Sequence, residues 1–557
     1  MKPIEGYDKL RGGYYTPKAI VEYITNWAIR SKTDTVLEPS CGDGVFIETA
    51  CSKLRNIGCH ENKIVEQVFG VEIDSTEAKK ASIYPAKVIN EDFFTFYRSN
   101  DVRYDVVVGN PPFIRYQNFS EEYRKIAFEL MQGHGFRPNR LTNIWLPFLV
   151  LSCKALKDDG RIGMVIPAEL FQVDYAAEAR NFLSEFFDRL TIITFKELVL
   201  VDIQQEVVLL LGEKRSVEKG IRVIELQDVD GLNKKIFSAE VKELDHDREK
   251  WVKYYLSNEE LSLLRKLNQD SRITSTTELF EANVGLVSGE NDFFVINKEM
   301  VERFDLHGSV LPIVSKAEQV KGLFFNDDNF NEAVVKNRRS FLFSPEDKPY
   351  EELSKEERAY IDYGETMGFH KNYKCRTRRR WYIVPTSWGP DAFFIRQANM
   401  YPKIILNEAK TSVTDTLHKI RFYEGVSEKS VAAAFINSYT LALSETAGRS
   451  YGGGVLTFEP GEVRKLRIPM IGADKLDFSQ MDAWQRNGQT DKLLSYTDDV
   501  LLRQGLNLSE YEIKTLRGIW CKLRDRRLNR KNGRNRTTDK CDFGSERSDE
   551  NMVADEY

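Results

Sequence analysis

The chain has 557 residues, with 41% hydrophobic and 11% aromatic side chains, and a formal net charge of −5. That length exceeds one typical domain, and that apolar content supports a large folded core. No stretch reaches the roughly eighteen apolar residues of a membrane span, Met1–Gly6 carries no apolar signal region, and the seven cysteines form no CxxC pair. A membrane protein, a disulfide-built secreted domain and a zinc site are therefore excluded as readings, and a cytoplasmic protein is expected.

From residue 34 to about 213, short β-branched runs alternate with segments of helical length, the signature of βαβ units and a parallel sheet. Strands are predicted at 34–38, 64–73, 87–90, 104–109, 161–166, 190–195 and 206–212, with helices at about 17–31, 43–56, 75–82, 121–132, 143–156 and 174–187. This pattern predicts a doubly wound α/β sheet, whose ligands bind beyond the carboxyl ends of the strands. The first strand ends at Glu38 and runs through Ser40, Cys41 and Gly42, a tight turn that lets backbone approach a ligand. The GxGxxG spacing of pyrophosphate binders is missing, so a ligand without phosphates is favoured. The second ends at Glu72 and Ile73, an acid placed to hold ribose hydroxyls and an apolar side chain to cover a ring. The third ends at Asp92 and Phe93, where a carboxylate can accept from an adenine amino group.

The fourth run, Tyr104 to Gly109, opens into Asn110-Pro111-Pro112-Phe113. Asparagine offers a side-chain carbonyl acceptor, and proline exposes a backbone carbonyl with no N–H to compete. Two acceptors suit the two hydrogens of a planar exocyclic amine, and Phe113 can lie flat on the heterocycle that bears it.

Beyond residue 240 the rhythm changes to charged helical stretches (258–268, 351–360), aromatic and glycine-rich segments, then helices near 427–446 and 508–527. Lys371, Lys374, Arg376, Arg378, Arg379 and Arg380 fall within ten residues and lead into Trp381-Tyr382. A second basic stretch runs from Arg517 to Arg536. The expected organisation is a first domain over 1–240, a second over 241–470, a helical segment over 471–536 and a disordered tail over 537–557.

These motifs resemble those of S-adenosylmethionine-dependent amino-methyltransferases, and their order resembles the gamma class of N6-adenine DNA methyltransferases found in type II restriction–modification systems. The resemblance runs over about residues 11–213 and more loosely over 280–470. It implies a Rossmann-like methyltransferase domain followed by a mixed α+β target-recognition domain and a helical C-terminal segment. Gly12 to Pro17 matches the family's N-terminal cofactor motif, so Thr16 is implied to meet the methionine carboxylate. The resemblance also assigns Glu38, Ser40, Cys41, Gly42, Glu72, Ile73, Asp92 and Phe93 to the cofactor, with Phe148 packing on its adenine; a core role for Phe148 is the other reading. Asn110, Pro111, Pro112 and Phe113 become catalytic. Near 195–206, where the family often places an aromatic against the extruded base, this chain has Leu198-Val199-Leu200-Val201-Asp202, with Phe195 the nearest ring.

The implied activity is methyl transfer from S-adenosylmethionine to N6 of a flipped adenine in double-stranded DNA, without a metal. A separately encoded restriction endonuclease acting on the same site is a further expected partner. Lys374, Arg376, Arg378, Arg379, Arg380 and Tyr451 are the expected DNA contacts. The rival readings are an RNA adenine or protein-glutamine N-methyltransferase, and a non-catalytic DNA-binding specificity protein.

Overall fold

The computed structural model describes residues 16–529 apart from 198, 201–205, 234–238, 245–249, 386–388 and 451–453. Tyr451, Leu198, Val201, Asp202, Gly12 to Tyr15 and the tail 537–557 lie outside the described residues.

Nine strands form one sheet: β1 (Val36–Glu38), β2 (Val68–Val71), β3 (Lys87–Ile89), β4 (Tyr104–Gly109), β5 (Leu156–Pro167), β6 (Arg189–Phe195), β7 (Val207–Glu213), β8 (Gly220–Leu226) and β9 (Val241–Lys242). Their order is β3-β2-β1-β4-β5-β7-β6-β8-β9. The first five pair in parallel, and β7 runs antiparallel to both β5 and β6. The chain winds outward from β1 to β3, then returns to β4 on the other side of β1. The switch point, and with it the expected crevice, lies at the carboxyl ends of β1 and β4.

Each face of this sheet has its own core. Helices α1 (Lys18–Ala28) and α2 (Val45–Asn56) cover one face through Ile20, Ile24, Phe46 and Ile47, against Val106, Val108 and Val165. The other face is covered by α3 (Phe93–Ser99) and α4 (Trp145–Lys154). Every residue of α4 from Trp145 to Cys153 is buried, which explains why that segment lacks a polar stripe in the sequence. Close helix–sheet packing needs Gly70, because a Cβ there falls 2.4 Å from Ile47 Cδ1.

The predicted strand over 64–73 is corrected at its start: Glu61–Gln67 is helical and only Val68–Val71 is extended. Ile64 and Gln67 turn inward while Val65 is exposed, a three-residue repeat that the β-branched pair Ile64-Val65 disguises. Helix α3 and strands β8 and β9 were not anticipated. The aromatic run that makes α3 is started by the Asp92 side chain, whose Oδ2 accepts from the Thr95 backbone N–H at 2.9 Å and the Thr95 hydroxyl at 3.1 Å.

The later residues build smaller sheets. One has five strands in the order 280–284, 417–422, 392–395, 404–407 and 324–325; another pairs 295–296, 341–343, 310–314 and 412–413; a three-stranded ribbon joins 397–398, 456–457 and 449–450. Helices α5 (Ser438–Ala447) and α6 (Glu510–Leu528) share one apolar core with the five-stranded sheet and Leu456 of the ribbon, so the C-terminal helices are built into the second half of the molecule.

Much of the basic stretch from Arg517 faces inward along α6. Arg527 is buried against Glu445, donating from Nε at 2.9 Å and from Nη2 at 2.8 Å, and its remaining N–H groups reach the carbonyls of Gly454 and Met400. Arg526 lies over the Tyr255 ring and pairs with Glu206 and Glu225. Arg517 binds Asp498 at 2.9 Å. Removing one partner of a buried ion pair strands the other charge. Arg527→Ala is therefore expected to lower stability by about 3–5 kcal/mol, read as a fall in the urea midpoint of the full chain, and the double change Arg527→Met with Glu445→Leu to recover most of it.

Candidate active site

The residues expected to bind cofactor and substrate converge at the carboxyl ends of β1, β2 and β4. Glu38 closes β1 and is almost fully buried, and its Oε2 has no hydrogen-bond partner among the described residues. Burial holds its carboxyl well above the usual carboxylate range, and the charges of Glu72 and Asp43 push the same way. An orphaned buried acid at the rim of a strand-end crevice fits a ligand with a positive end. The turn that follows is shaped by Gly42 and Gly44, with φ of +51° and +93°, values that L side chains rarely adopt. Cys41 donates its backbone N–H to the Val71 carbonyl at 2.9 Å, and burial raises its thiol far above the usual range.

Glu72, one strand over, accepts from the Gly42 backbone N–H through Oε2 at 2.9 Å and from the Asp74 backbone N–H through Oε1 at 2.8 Å. Ile73 beside it is 52% exposed, an apolar surface left open at the crevice. Asn90 holds this loop in place, donating to the Glu72 carbonyl at 2.8 Å and to the Ile73 carbonyl at 3.1 Å.

Asn110 follows β4 directly. Its Nδ2 donates to the Thr16 hydroxyl at 3.1 Å, and its backbone carbonyl accepts from the Ser40 hydroxyl at 3.3 Å. The residue two before α1, the β1 turn and the segment after β4 are thereby tied together. Thr16, expected as a cofactor contact, holds the Asn110 side-chain amide. Pro111 is buried, while Phe113 is half-buried and packs against the cores of both sheet faces.

Other expected site residues are placed differently. Asp92 is buried as the cap of α3, with one oxygen already bound by Thr95. Phe93 and Phe148 stack on each other, ring centres 5.1 Å apart, each at most 4% exposed, so the structure places Phe148 in the core. Phe195 ends β6 and is equally buried.

Among the expected DNA contacts, Arg378 donates to the Ser288 carbonyl at 2.6 Å and lies over Phe294, and Arg380 pairs with Asp347. Those two cations hold the protein's own loops. Lys374, Arg376 and Arg379 project into solvent, with Arg376 against Tyr373. The glycine segment from Gly285 is an internal contact at its start, since a Cβ on Gly285 falls 2.1 Å from the Thr414 carbonyl oxygen.

A polar cluster beyond β5 was not anticipated. Glu169 accepts from Tyr175 at 2.6 Å and from Asn143 Nδ2 at 3.2 Å, and the next backbone N–H, of Ile144, binds the Ile114 carbonyl just past Phe113. The same segment meets the second half of the molecule: Gln172 exchanges hydrogen bonds with the Ser450 backbone in both directions, and Arg449 pairs with Asp174. Glu169 stands just past a strand end, as Glu72 and Asp92 do, and that rule finds it in the sequence. Among the described residues no group of His, Cys, Asp and Glu is arranged to hold a metal ion, and no helix is long and apolar enough to cross a membrane.

Two family models match the chain. Residues 49–203 match the Eco57I restriction-modification methylase, and residues 248–502 match the C-terminal domain of the type II methyltransferase M.Eco57I. The chain is 22% identical to the type II methyltransferase M.AccI of Acinetobacter calcoaceticus over 473 residues, covering 81% of this chain and 84% of that one. It is also 22% identical to the type II methyltransferase M.XamI of Xanthomonas campestris pv. amaranthicola, covering 83% and 85%. The solved type IIL restriction-modification enzyme MmeI, in complex with DNA, shares the fold with a TM-score of 0.56 at 11% identity, over 93% of this chain and 73% of that one. The two models together run along most of the chain, and the full-length relatives carry the same name, so both halves of the chain resemble type II methyltransferases of restriction–modification systems.

Proposed function

We propose that this protein methylates N6 of an adenine in duplex DNA, taking the methyl group from S-adenosylmethionine. The observation that carries this reading is the double tether of Asn110 to Thr16 and Ser40, which joins an amine-accepting motif to a pocket lined by Glu38, Glu72 and Ile73. A nucleoside with a cationic amino-acid arm matches that lining: Glu72 for the ribose hydroxyls, Ile73 for a face of the ring and Glu38 for the positive end. S-adenosylmethionine supplies an electrophilic methyl group carried on a sulfonium.

The chain's own residues do the rest. The adenine amine is a weak nucleophile because its lone pair is conjugated with the ring. The Asn110 side-chain carbonyl and the Pro111 backbone carbonyl each accept one N–H, favour a pyramidal nitrogen and aim its lone pair. Orientation and fixed dipoles then provide most of the rate, and no strong base is needed. A stacked base cannot enter such a pocket, so the adenine is flipped out, with Phe113 replacing the lost stacking, a contact worth roughly 1–3 kcal/mol. Residues 1–240 perform this chemistry and residues 241–470 read the sequence. The modification protects DNA from a restriction endonuclease carried on a separate chain.

Sequencing DNA for N6-methyladenine after expression in a methylation-free host tests the reading. A recurrent methylated motif supports it, and an unmodified genome beside an active enzyme on RNA or protein overturns it. Asn110→Ala is expected to slow methyl transfer by about 100- to 1,000-fold, the scale for loss of one preorganised hydrogen-bonding group, while cofactor affinity measured by calorimetry stays near wild type. Glu38 gives a pH signature. Its carboxyl is held neutral above the usual range, and a cationic ligand favours the carboxylate, so binding releases a proton and cofactor affinity falls as pH drops through the raised value. Glu38→Gln is expected to weaken binding and to flatten that dependence; a wild-type affinity that does not change between neutral and mildly acid pH contradicts the assignment.

A further inference from the structure

A cleft of 540 Å³ opens in the second half of the molecule, walled by the helix 327–335 and its following turn on one side and by the 315–321 segment on the other. Its lining includes Lys316, Lys321, Lys336, Arg338, Arg339 and Arg486 against only Glu318 and Glu332, in a chain whose net charge is −5. Some of these cations are accounted for locally. Arg486 binds Asp482 at 2.6 Å, Lys336 pairs with Glu332 one helical turn away, and Arg339 pairs with Asp292. Lys316, Lys321 and Arg338 are exposed and have no ion-pair partner among the described residues.

A helix end explains only part of this. Lys336 and Arg338 follow the carboxyl end of the helix 327–335, where positive charge is favoured. Lys316 and Lys321 stand on the opposite wall, and Lys316 precedes a helical turn at its amino end, where a cation gains nothing. Like charges gathered across a cleft repel unless an anion separates them. The cleft also connects to the exposed part of the other basic segment. Asn291 lines it, Asp292 holds Arg339, Glu290 binds Asn372, and Gly289 lies beneath Lys374. The segment 288–292 thus has the cleft on one side and Asn372, Lys374 and Arg378 on the other.

We propose that this cleft grips the phosphodiester backbone of duplex DNA, with Lys316, Lys321 and Arg338 as its phosphate contacts and the 371–379 segment continuing the track. The assignment rests on DNA being the substrate, and it names a surface that the run of arginines in the sequence does not point to. Phosphate contacts set grip and register without reading bases, so their loss weakens binding to every sequence alike.

The test uses the full chain carrying Lys316→Ala, Lys321→Ala and Arg338→Ala together, with fluorescence anisotropy on a duplex containing the methylated motif and on one lacking it, across a salt series. Loss of three phosphate contacts is expected to make the slope of log affinity against log salt shallower by about 2–3. Affinity at low salt drops at least tenfold for both duplexes, with the methylated motif and the affinity for S-adenosylmethionine unchanged. Lys63→Ala with Lys79→Ala, on helices flanking β2, keeps the wild-type slope. A triple variant with wild-type affinity and slope overturns the assignment, and so does inorganic triphosphate binding that the triple variant abolishes while duplex binding persists. If the wild-type chain binds and methylates DNA and the variant matches it, only the cleft assignment falls; if the wild-type chain binds no duplex at any salt, the DNA reading falls with it.

Discussion

The parallel pairing of β1 between β2 and β4 is the constraint on which the site depends. Val36 aligns with Val68 on one side and Val106 on the other, and Leu37 with Phe69 and Val107. That register brings the ends of three strands level, so that Glu38, Glu72 and Asn110 emerge side by side although they are far apart in the chain. A shift of one residue in either pairing would swap the core that each side chain of the strand faces and offset the strand ends that carry the polar residues. The register is held from both faces: Val106 and Val108 pack under α1 and α2, while Val107 and Leu37 face α4. Hydrophobic packing on two sides thus holds a polar geometry that has little stability of its own.

The second half of the molecule solves a different problem, which is to hold many short strands without a long sheet. Its strands run two to six residues, too short to be stable as isolated pairs. They are consolidated by α5 and α6 and by buried charges such as Arg527 with Glu445 and Lys250 with Glu462. Buried pairs of this kind add little net stability compared with apolar residues, but they penalise every other arrangement of the same elements. That suits a region whose loops must be presented at fixed positions relative to one another.

The first half was largely legible in the sequence because its signals are local. Runs such as Tyr104 to Gly109 announce buried parallel strands, and an acid just past a strand end marks the crevice. Legibility is lower where local grammar serves two purposes. Asp92 suits both a ligand acceptor and a helix cap, and the Thr three residues on marks the cap. Phe148 sits at a position that suits both an adenine platform and a core helix, and only its stacking on Phe93 separates the two. The basic segment shows a third kind of failure. Arg378 and Arg380 are turned inward by Ser288 and Asp347, partners some 90 and 33 residues away that no local pattern predicts. Exposure of a charge is a tertiary property, so a run of arginines says where positive charge is concentrated and not which side chains can leave the surface.

The bidentate exchange between Gln172 and the backbone of Ser450 joins the segment after β5 to a strand 278 residues later. Arg449 strengthens the same seam through Asp174 and Glu462. On one side this segment carries Glu169, whose partners lead to the backbone just past Phe113; on the other it borders the strand Arg449–Ser450. An exchange of the second half between relatives therefore cannot be cut at the boundary of the two halves alone. Arg449 and Ser450 and the 169–175 segment form one mating surface, so a chimera that keeps them matched keeps the seam closed, while one that mixes them begins with a misfit beside Glu169.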